Sequence, residues 1–199
     1  MHPNPLFRSD DKDMMRALVE ETAFGSVFLT APDGPRAAHT PLLWGDGDKL
    51  RFHLSRANAL TAHLDGATAL VTVHGPNGYV SPRWYDERDT VPTWDYVAIE
   101  LEGTVSMLSE DELDAFLYDM IEEHESRLGG DRWHSSETSE PMWENLLRGI
   151  RGFEMEVETW RPTFKLSQRK TPREQARIAD GQKRAGNTAL ARMVEDFIA

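Results

Sequence analysis

One segment of this 199-residue chain has the pattern of a β-strand with a single buried face. Between Val97 and Met107, apolar side chains alternate with polar or small ones, so every second side chain points to the same face. Gly103 lies on the apolar face, which indicates a bulge or close packing against a neighbouring strand. A sheet with one buried face therefore dominates the expected fold.

Turn residues divide much of the remaining chain into further short strands. These strands are predicted at 25–30, 36–43, 49–54, 67–74 and 153–157. Helices are predicted at 10–22, 109–128, 141–147 and after Thr171, with one or two helical turns at 57–64. About six strands without regular alternation of strand and helix favour a small antiparallel barrel or sandwich, mainly β with α inserts (α+β).

Two of the helix starts carry capping boxes. Ser109 is followed three residues later by Glu112, and Thr171 is followed in the same way by Glu174. Pro172 occupies the first position of the second helix, where its missing N–H has no partner to lose. These signals predict a central helix and a C-terminal helical region.

Composition limits the classes of function. The net charge is −12, but the segment from Lys165 to Arg184 carries +5, which leaves −17 on the rest of the chain. The chain has no cysteine, which excludes disulfides and every site that needs a thiolate. No signal-like start or long apolar run is present, so a cytoplasmic protein without a membrane segment is expected.

Common catalytic motifs are absent from the sequence. There is no Gly-x-Ser-x-Gly, no Gly-x-x-x-x-Gly-Lys, no Gly-x-Gly-x-x-Gly after a strand and no His-Glu-x-x-His. His39, His53 and His74 fall in or at the end of predicted strands, where a hydrogen-bonded structural role is the more common one. We expect no metal, and the catalytic residues stay unassigned.

The segment 74–96 concentrates two Trp and three Tyr among several Gly and Pro residues. Its prolines and glycines predict a loop rather than a helix or a central strand. Large aromatic side chains in such a loop either close the end of a barrel or a subunit interface, or contact a flat apolar ligand. Both explanations stay open at this point.

The segment after the third strand suggests a seat for an anion. Ser55 and Arg56 follow the strand directly and a helical turn is predicted next, so a hydroxyl, a guanidinium and backbone N–H groups can face one phosphate. The alternative is that Ser55 only caps the turn while Arg56 extends into solvent.

Several blocks of this sequence, taken together, resemble one protein family. The blocks are Ser55-Arg56-Ala57-Asn58, His74-Gly75-Pro76, Tyr79-x-Ser81-Pro82-x-Trp84-Tyr85, Val91-Pro92-Thr93-Trp94-Asp95-Tyr96 and Phe164-Lys165-Leu166-Ser167-Gln168. Their order and spacing, from about Leu6 to Lys170, resemble the PaiB-type FMN-binding negative transcriptional regulators. The resemblance implies a split β-barrel of about six antiparallel strands, of the type found in pyridoxamine-phosphate oxidases. It also implies a homodimer with two FMN sites at the subunit interface.

The resemblance assigns roles to individual residues. Ser55 and Arg56 would bind the FMN phosphate, with Asn58 as a weaker candidate. Thr93, Trp94 and Tyr96 would border the flavin ring, and Lys165 and Gln168 would donate hydrogen bonds to flavin oxygens or the phosphate. Tyr79, Trp84 and Tyr85 would belong either to the substrate side or to the dimer contact.

The expected organisation is a barrel domain at 1–162 and a basic helical tail at 163–199, which packs on the barrel or on a partner subunit. Three functions stay open. The first is an FMN-binding regulator that reaches DNA or a protein partner through the basic tail. The second is a flavin-dependent oxidoreductase or flavin reductase. The third is a haem-binding or haem-degrading protein with His39, His53 or His74 as ligands.

Overall fold

Seven strands form one sheet in the computed structural model of the chain, which describes residues 2–197. They are β1 (Phe24–Ala31), β2 (Gly34–Pro41), β3 (Leu43–Trp44), β4 (Lys49–Ser55), β5 (Thr68–Val80), β6 (Thr93–Met107) and β7 (Ile150–Lys165). Their order in the sheet is β2-β1-β5-β6-β7-β4-β3, so β2 and β3 are the outer strands. The predicted mainly β fold of the split-barrel type is confirmed, with seven strands instead of about six.

Within the described residues, five α-helices accompany the sheet. They are α1 (Lys12–Thr22), α2 (Glu110–Leu128), α3 (Glu140–Leu147), α4 (Pro172–Arg184) and α5 (Thr188–Asp196). Both predicted capping boxes are present, with Ser109 and Glu112 at the start of α2 and Thr171 and Glu174 at the start of α4. Among residues 2–197, none of the helices has the length and apolar character that crossing a membrane requires.

The described chain divides into two compact units. The C-terminal unit comprises 2–18, 73–100 and 161–197, and the hairpin unit comprises 19–72 and 101–160. Val80, Val97, Phe164 and Ile178 are among the fully buried side chains of the C-terminal unit. The predicted division into 1–162 and 163–199 stays a prediction, and its residues 1, 198 and 199 lie outside the described part of the chain.

The prediction of a loop from His74 onward is wrong for its first part, because β5 continues as far as Val80. The pairs with β1 involve Leu70–Thr72 only, so the missing N–H of Pro76 interrupts none of them. Gly78 allows a close approach of other residues of its unit: a Cβ there would lie 2.8 Å from the Gln182 side chain. Proline and glycine are therefore accommodated inside a long strand.

The predicted helical turns at 57–64 are wrong as well, because this segment forms hydrogen-bonded turns without a helix. The backbone N–H of Asn58 donates to the Ser55 carbonyl, and the Asn58 side chain accepts from the N–H of Leu60 at 2.9 Å. A side-chain acceptor thus replaces the carbonyl that a helix would have used.

Helices α2 and α3 lie near the start of β7 in the hairpin unit. Leu113, Phe116 and Met120 of α2 form a buried cluster, and Leu147 of α3 and Ile150 of β7 pack against it. Burial of these side chains holds the short connection between α3 and β7 in position. This connection lies opposite the end of β4.

Strands β6 and β7 pack so closely at Gly103 that no side chain fits there. A Cβ at this position would lie 1.8 Å from the Glu156 carbonyl oxygen, which is backbone and cannot rotate away. We expect Gly103→Ala to lower the free energy of unfolding by about 2–3 kcal/mol, measured by urea denaturation. In the control Gly45→Ala the new Cβ meets only the flexible end of Arg51, and the change should stay within about 0.5 kcal/mol. Equal effects in both variants would contradict the close packing at Gly103.

Candidate functional site

The predicted site residues form two separate groups, one in each unit. Ser55, Arg56 and Asn58 belong to the hairpin unit. Thr93, Trp94, Tyr96, Lys165 and Gln168 belong to the C-terminal unit. We call the first group, with the turns that follow it to residue 63, the β4 turn, and we call Thr93, Asp95, Lys165 and Ser167 the lysine cluster.

Ser55 caps the β4 turn, as one of the two interpretations of the sequence expected. Its side-chain oxygen accepts from the N–H of Ala57 at 3.2 Å, and its carbonyl accepts from the hydroxyl of Thr61 at 2.7 Å. The Ser55 side chain is nevertheless exposed, and its own hydroxyl proton can be donated to a ligand. Asn58 has its side-chain oxygen engaged within the turn and keeps its NH₂ group as a donor.

Arg56 is held by the protein instead of extending freely into solvent. Its Nε donates to the carbonyl of Ile150 at 3.1 Å, and a terminal nitrogen lies 4.0 Å from the carboxylate of Glu110. The side chain lines a pocket of about 400 Å³. Because only Nε makes a short hydrogen bond, the outer edge of the guanidinium has the geometry to bind an anion.

Lys165 is the centre of the second group. Its ammonium donates to the hydroxyl of Thr93 at 2.6 Å and to the backbone carbonyl of Trp94. One carboxylate oxygen of Asp95 lies 3.8 Å away, and only 15% of the Lys165 side chain is exposed. Burial lowers the pKa of this amine, and the negative charge of Asp95 offsets part of that effect.

Asp95 is a buried carboxyl that the sequence analysis did not assign to the site. Its Oδ2 accepts from the Ser167 hydroxyl at 2.5 Å, whereas Oδ1 has no hydrogen-bond partner within the described chain. Burial raises the pKa of Asp95, and the Ser167 hydrogen bond and the Lys165 charge oppose this only in part. The signal was present in the sequence, because Asp95 shares the alternating apolar face of Val97 and Ile99.

Trp94 and Tyr79 form an exposed aromatic pair in the C-terminal unit. Their ring centroids are 6.3 Å apart in an edge-to-face arrangement, and about half of each side chain is exposed. The indole N–H of Trp94 donates to the side-chain oxygen of Asn77 at 3.1 Å, which fixes the orientation of the ring. Tyr96 lies two residues further along β6 and is half-buried. Exposed rings held in one orientation suit contact with a planar ligand.

Gln168 is engaged inside its own loop. Its amide NH₂ donates to the carbonyl of Phe164, and its oxygen accepts from the N–H of Leu166 at 2.9 Å. Ser167, which lies between Leu166 and Gln168 in the chain, has a left-handed backbone conformation with a φ of 58°. These contacts give Gln168 a role in shaping the loop that carries Lys165.

Trp84 and Tyr85 pack against α4 within the C-terminal unit. Tyr85 is buried with Val80 and Ile178, and Trp84 covers this cluster. A Cβ at Gly181 would lie 2.3 Å from the Trp84 indole, so only glycine lets the ring approach the helix this closely. Intramolecular packing therefore accounts for these two aromatic residues, while Tyr79 stays exposed.

Most of the basic residues in the segment 165–184 have acidic partners within the C-terminal unit. The pairs are Lys165 with Asp95, Lys170 with Glu174, Arg177 with Asp86, Lys183 with Glu195 and Arg184 with Asp180. Arg169 and Arg173 are exposed. The local excess of positive charge is thus largely compensated where it lies.

The three histidines of the haem alternative have different surroundings. His39 is exposed and its Nδ1 is 2.8 Å from the Ser26 hydroxyl, whereas His74 is exposed at the middle of β5. The His53 ring is 6.1 Å from that of Phe116, and burial lowers the pKa of His53. Among residues 2–197, no group of three or more His, Asp or Glu side chains is arranged to hold a metal ion.

Comparison with known proteins places this geometry in context. Residues 1–159 match the family described as "Putative FMN-binding domain". A Bacillus subtilis (strain 168) protein named protease synthase and sporulation protein PAI 2 is 30% identical over 194 residues, covering 95% of this chain and 92% of that protein.

Two solved structures share the fold. The FAD and heme binding protein from Mycobacterium smegmatis gives a TM-score of 0.61 at 16% identity, covering 79% of this chain and 73% of that one. The flavocytochrome Anf3 from Azotobacter vinelandii gives a TM-score of 0.61 at 15% identity, covering 82% of this chain and 72% of that one. At these identities the likeness is one of fold.

The raised pKa of Asp95 predicts how stability depends on pH. The ordinary value is 3.8, and a higher value in the folded protein means that folding favours the protonated carboxyl. The resulting stabilisation is complete below the ordinary value and is lost as pH rises through the folded-state pKa. Asp95→Asn has no proton to lose, so its free energy of unfolding should rise relative to the wild type between about pH 3 and about pH 8.

The free energy of unfolding should rise by about 1.4 kcal/mol for each pKa unit by which Asp95 differs between the folded and the unfolded protein. Urea unfolding of both proteins across the pH series measures it. Asp46→Asn, in an exposed turn, is the matched control for changes elsewhere in the chain. If the difference in free energy of unfolding between Asp95→Asn and the wild type instead falls with rising pH, Lys165 and Ser167 lower the pKa of Asp95 by more than burial raises it.

Proposed function

Because this chain belongs to the PaiB-type family of FMN-binding split barrels, we propose that it binds FMN at the interface of a homodimer and acts as a flavin-binding regulator. Support comes from two groups of side chains with different chemistry. The β4 turn offers a guanidinium, a hydroxyl and an amide, which suit a phosphate. The lysine cluster and Trp94 offer a fixed cation beside an exposed ring, which suits the flavin.

At the phosphate end, Arg56 and Ser55 are the principal contacts and Asn58 adds an amide donor. The hydrogen bond from Arg56 Nε to the Ile150 carbonyl restrains the guanidinium before any ligand binds. A pre-oriented guanidinium loses less conformational entropy on binding than a free one.

At the ring end, Trp94 borders the flavin together with Thr93 and Tyr96, while Lys165 supplies positive charge. The Lys165 ammonium is already oriented by the Thr93 hydroxyl and the Trp94 carbonyl. Gln168 contributes mainly by shaping the loop that carries Lys165. When FMN is bound, it supplies hydride and one-electron chemistry, and nearby protein charges tune its reactivity.

Flavin retention tests this proposal directly. FMN mixed with the protein should remain bound through a desalting column, and Arg56→Ala should weaken FMN affinity by roughly 10- to 100-fold, the effect of one charge-assisted hydrogen bond. Riboflavin, which lacks the phosphate, should bind both proteins equally. Trp94→Ala should weaken FMN and riboflavin alike by about 2- to 10-fold. Isothermal titration measures all six affinities, and a wild type that retains no FMN would refute the proposal.

A regulatory role through a protein partner fits the charge distribution better than direct contact with DNA. Binding to DNA depends on cations that replace the counterions of the phosphates. This chain carries a net charge of −12, and most basic residues of its tail are paired with carboxylates. Arg169 and Arg173 are exposed and are the side chains to test.

We expect no gel shift with a pool of randomised DNA duplexes at about 50 mM salt, and no difference for the double variant Arg169→Ala/Arg173→Ala. A shift that weakens steeply with salt and is lost in this variant would instead establish direct DNA binding. Turnover of NADH or NADPH in the presence of FMN would favour the alternative function, a flavin-dependent oxidoreductase or flavin reductase. Both assays use the full chain, because α4 also packs against Trp84.

A further inference from the structure

The pocket beside the β4 turn contains a second arginine that the sequence analysis did not single out. Two basic and two acidic side chains surround the pocket, and two leucines supply its apolar part. These residues are Arg56, Arg148, Glu110, Glu144, Leu113 and Leu147. Its volume of about 400 Å³ falls in the range of small-molecule sites, about 300–1,000 Å³.

Two hydrogen bonds join Arg56 to the residues that directly follow Arg148. The N–H of Arg56 donates to the carbonyl of Gly149 at 2.9 Å, and Arg56 Nε donates to the next carbonyl, that of Ile150. Arg148 directly precedes these two residues and is the C-terminal cap of helix α3. Two arginines 92 positions apart in the sequence therefore emerge from one hydrogen-bonded junction.

Neither arginine has a tight ionic partner within this pocket. The shortest distance from Arg56 to the Glu110 carboxylate is 4.0 Å, and that from Arg148 to Glu144 is 3.9 Å, both beyond hydrogen-bond length. The side chains of Glu110, Glu144 and Arg148 are each at least 60% exposed. Exposed pairs at this separation contribute little, so a ligand can displace the carboxylates readily.

We propose that Arg148 is a second contact for the ligand's phosphate group, and that Glu110 and Glu144 balance the two arginines until the phosphate replaces them. This rests on the proposed binding of FMN at Ser55 and Arg56. A phosphate monoester carries close to two negative charges at neutral pH and can accept from both guanidiniums at once.

If the proposal is right, removing an arginine of the pocket weakens FMN binding, and removing a carboxylate charge tightens it. Arg148→Ala removes a donor and should weaken FMN binding by about 10-fold. Glu144→Gln and Glu110→Gln remove competing carboxylates and should each tighten it by about 2- to 5-fold, because an exposed pair contributes at most about 1 kcal/mol. Riboflavin affinity should not change in any of the three variants, because the phosphate is absent.

A matched control is available in the other unit. Arg184 and Asp180 form an i,i+4 pair whose side chains are 66% and 64% exposed, against 67% and 60% for Arg148 and Glu144. Arg184→Ala should leave the affinities for both FMN and riboflavin unchanged. Inorganic phosphate should compete with FMN in the wild type and less effectively in Arg148→Ala, which separates recognition of phosphate itself from recognition of the rest of the nucleotide.

The outcomes separate this inference from the function on which it rests. If the wild type binds FMN and Arg56→Ala weakens it, while Arg148→Ala does not change the ratio of FMN to riboflavin affinity, Arg148 is not a phosphate contact and the proposed function stands. Weaker FMN binding in Glu144→Gln would also overturn the inference. If the wild type binds neither flavin, the proposed function fails and takes this inference with it.

Discussion

The antiparallel pairing of β4 with β7 is the constraint on which the candidate phosphate site depends. Seven residue pairs join these strands, from Lys49 opposite Glu156 to Ser55 opposite Ile150. Arg51 and Glu154 face each other and form an ion pair at 2.7 Å, and the rings of Phe52 and Phe153 stack at 5.6 Å. A slip of one residue would reverse the facing of these side chains and separate Arg56 from the Gly149 carbonyl. The register of two strands thus determines which charged groups meet at the pocket.

The two groups of candidate residues differ in how firmly their cations are held. Lys165 is mostly buried and makes two short hydrogen bonds, beside the fully buried carboxyl of Asp95. Arg56 and Arg148 are more exposed, and their carboxylate neighbours are 4.0 and 3.9 Å away. A buried, hydrogen-bonded cation suits a planar ring whose position controls reactivity, whereas guanidiniums without a close carboxylate partner keep donors available for a phosphate. The division of labour proposed for FMN follows this difference.

Local signals in the sequence predicted much of the fold. The alternation from Val97 to Met107 and the capping boxes at Ser109 and Thr171 involve residues close together in the chain, and each is found in the structure. The prediction failed in β5, which continues through Pro76. The pairs with β1 end at Thr72, so the missing N–H of Pro76 interrupts none of them.

Long-range proximity had no local signal. Arg148 and Arg56 line one pocket because the pairing of β4 with β7 brings the Arg56 N–H to the Gly149 carbonyl.

The outer strands limit how two copies of this protein can associate. β3 has only two residues, and β2 carries prolines at positions 35 and 41, which cannot donate a backbone hydrogen bond. Near the end of β2, the Thr40 hydroxyl donates to the His53 carbonyl of β4, so this part of the strand already has a neighbour. The short β3 and the two prolines of β2 reduce the number of backbone hydrogen bonds with which a second copy could lengthen the sheet. Such margins lower the tendency of a sheet to aggregate edge to edge.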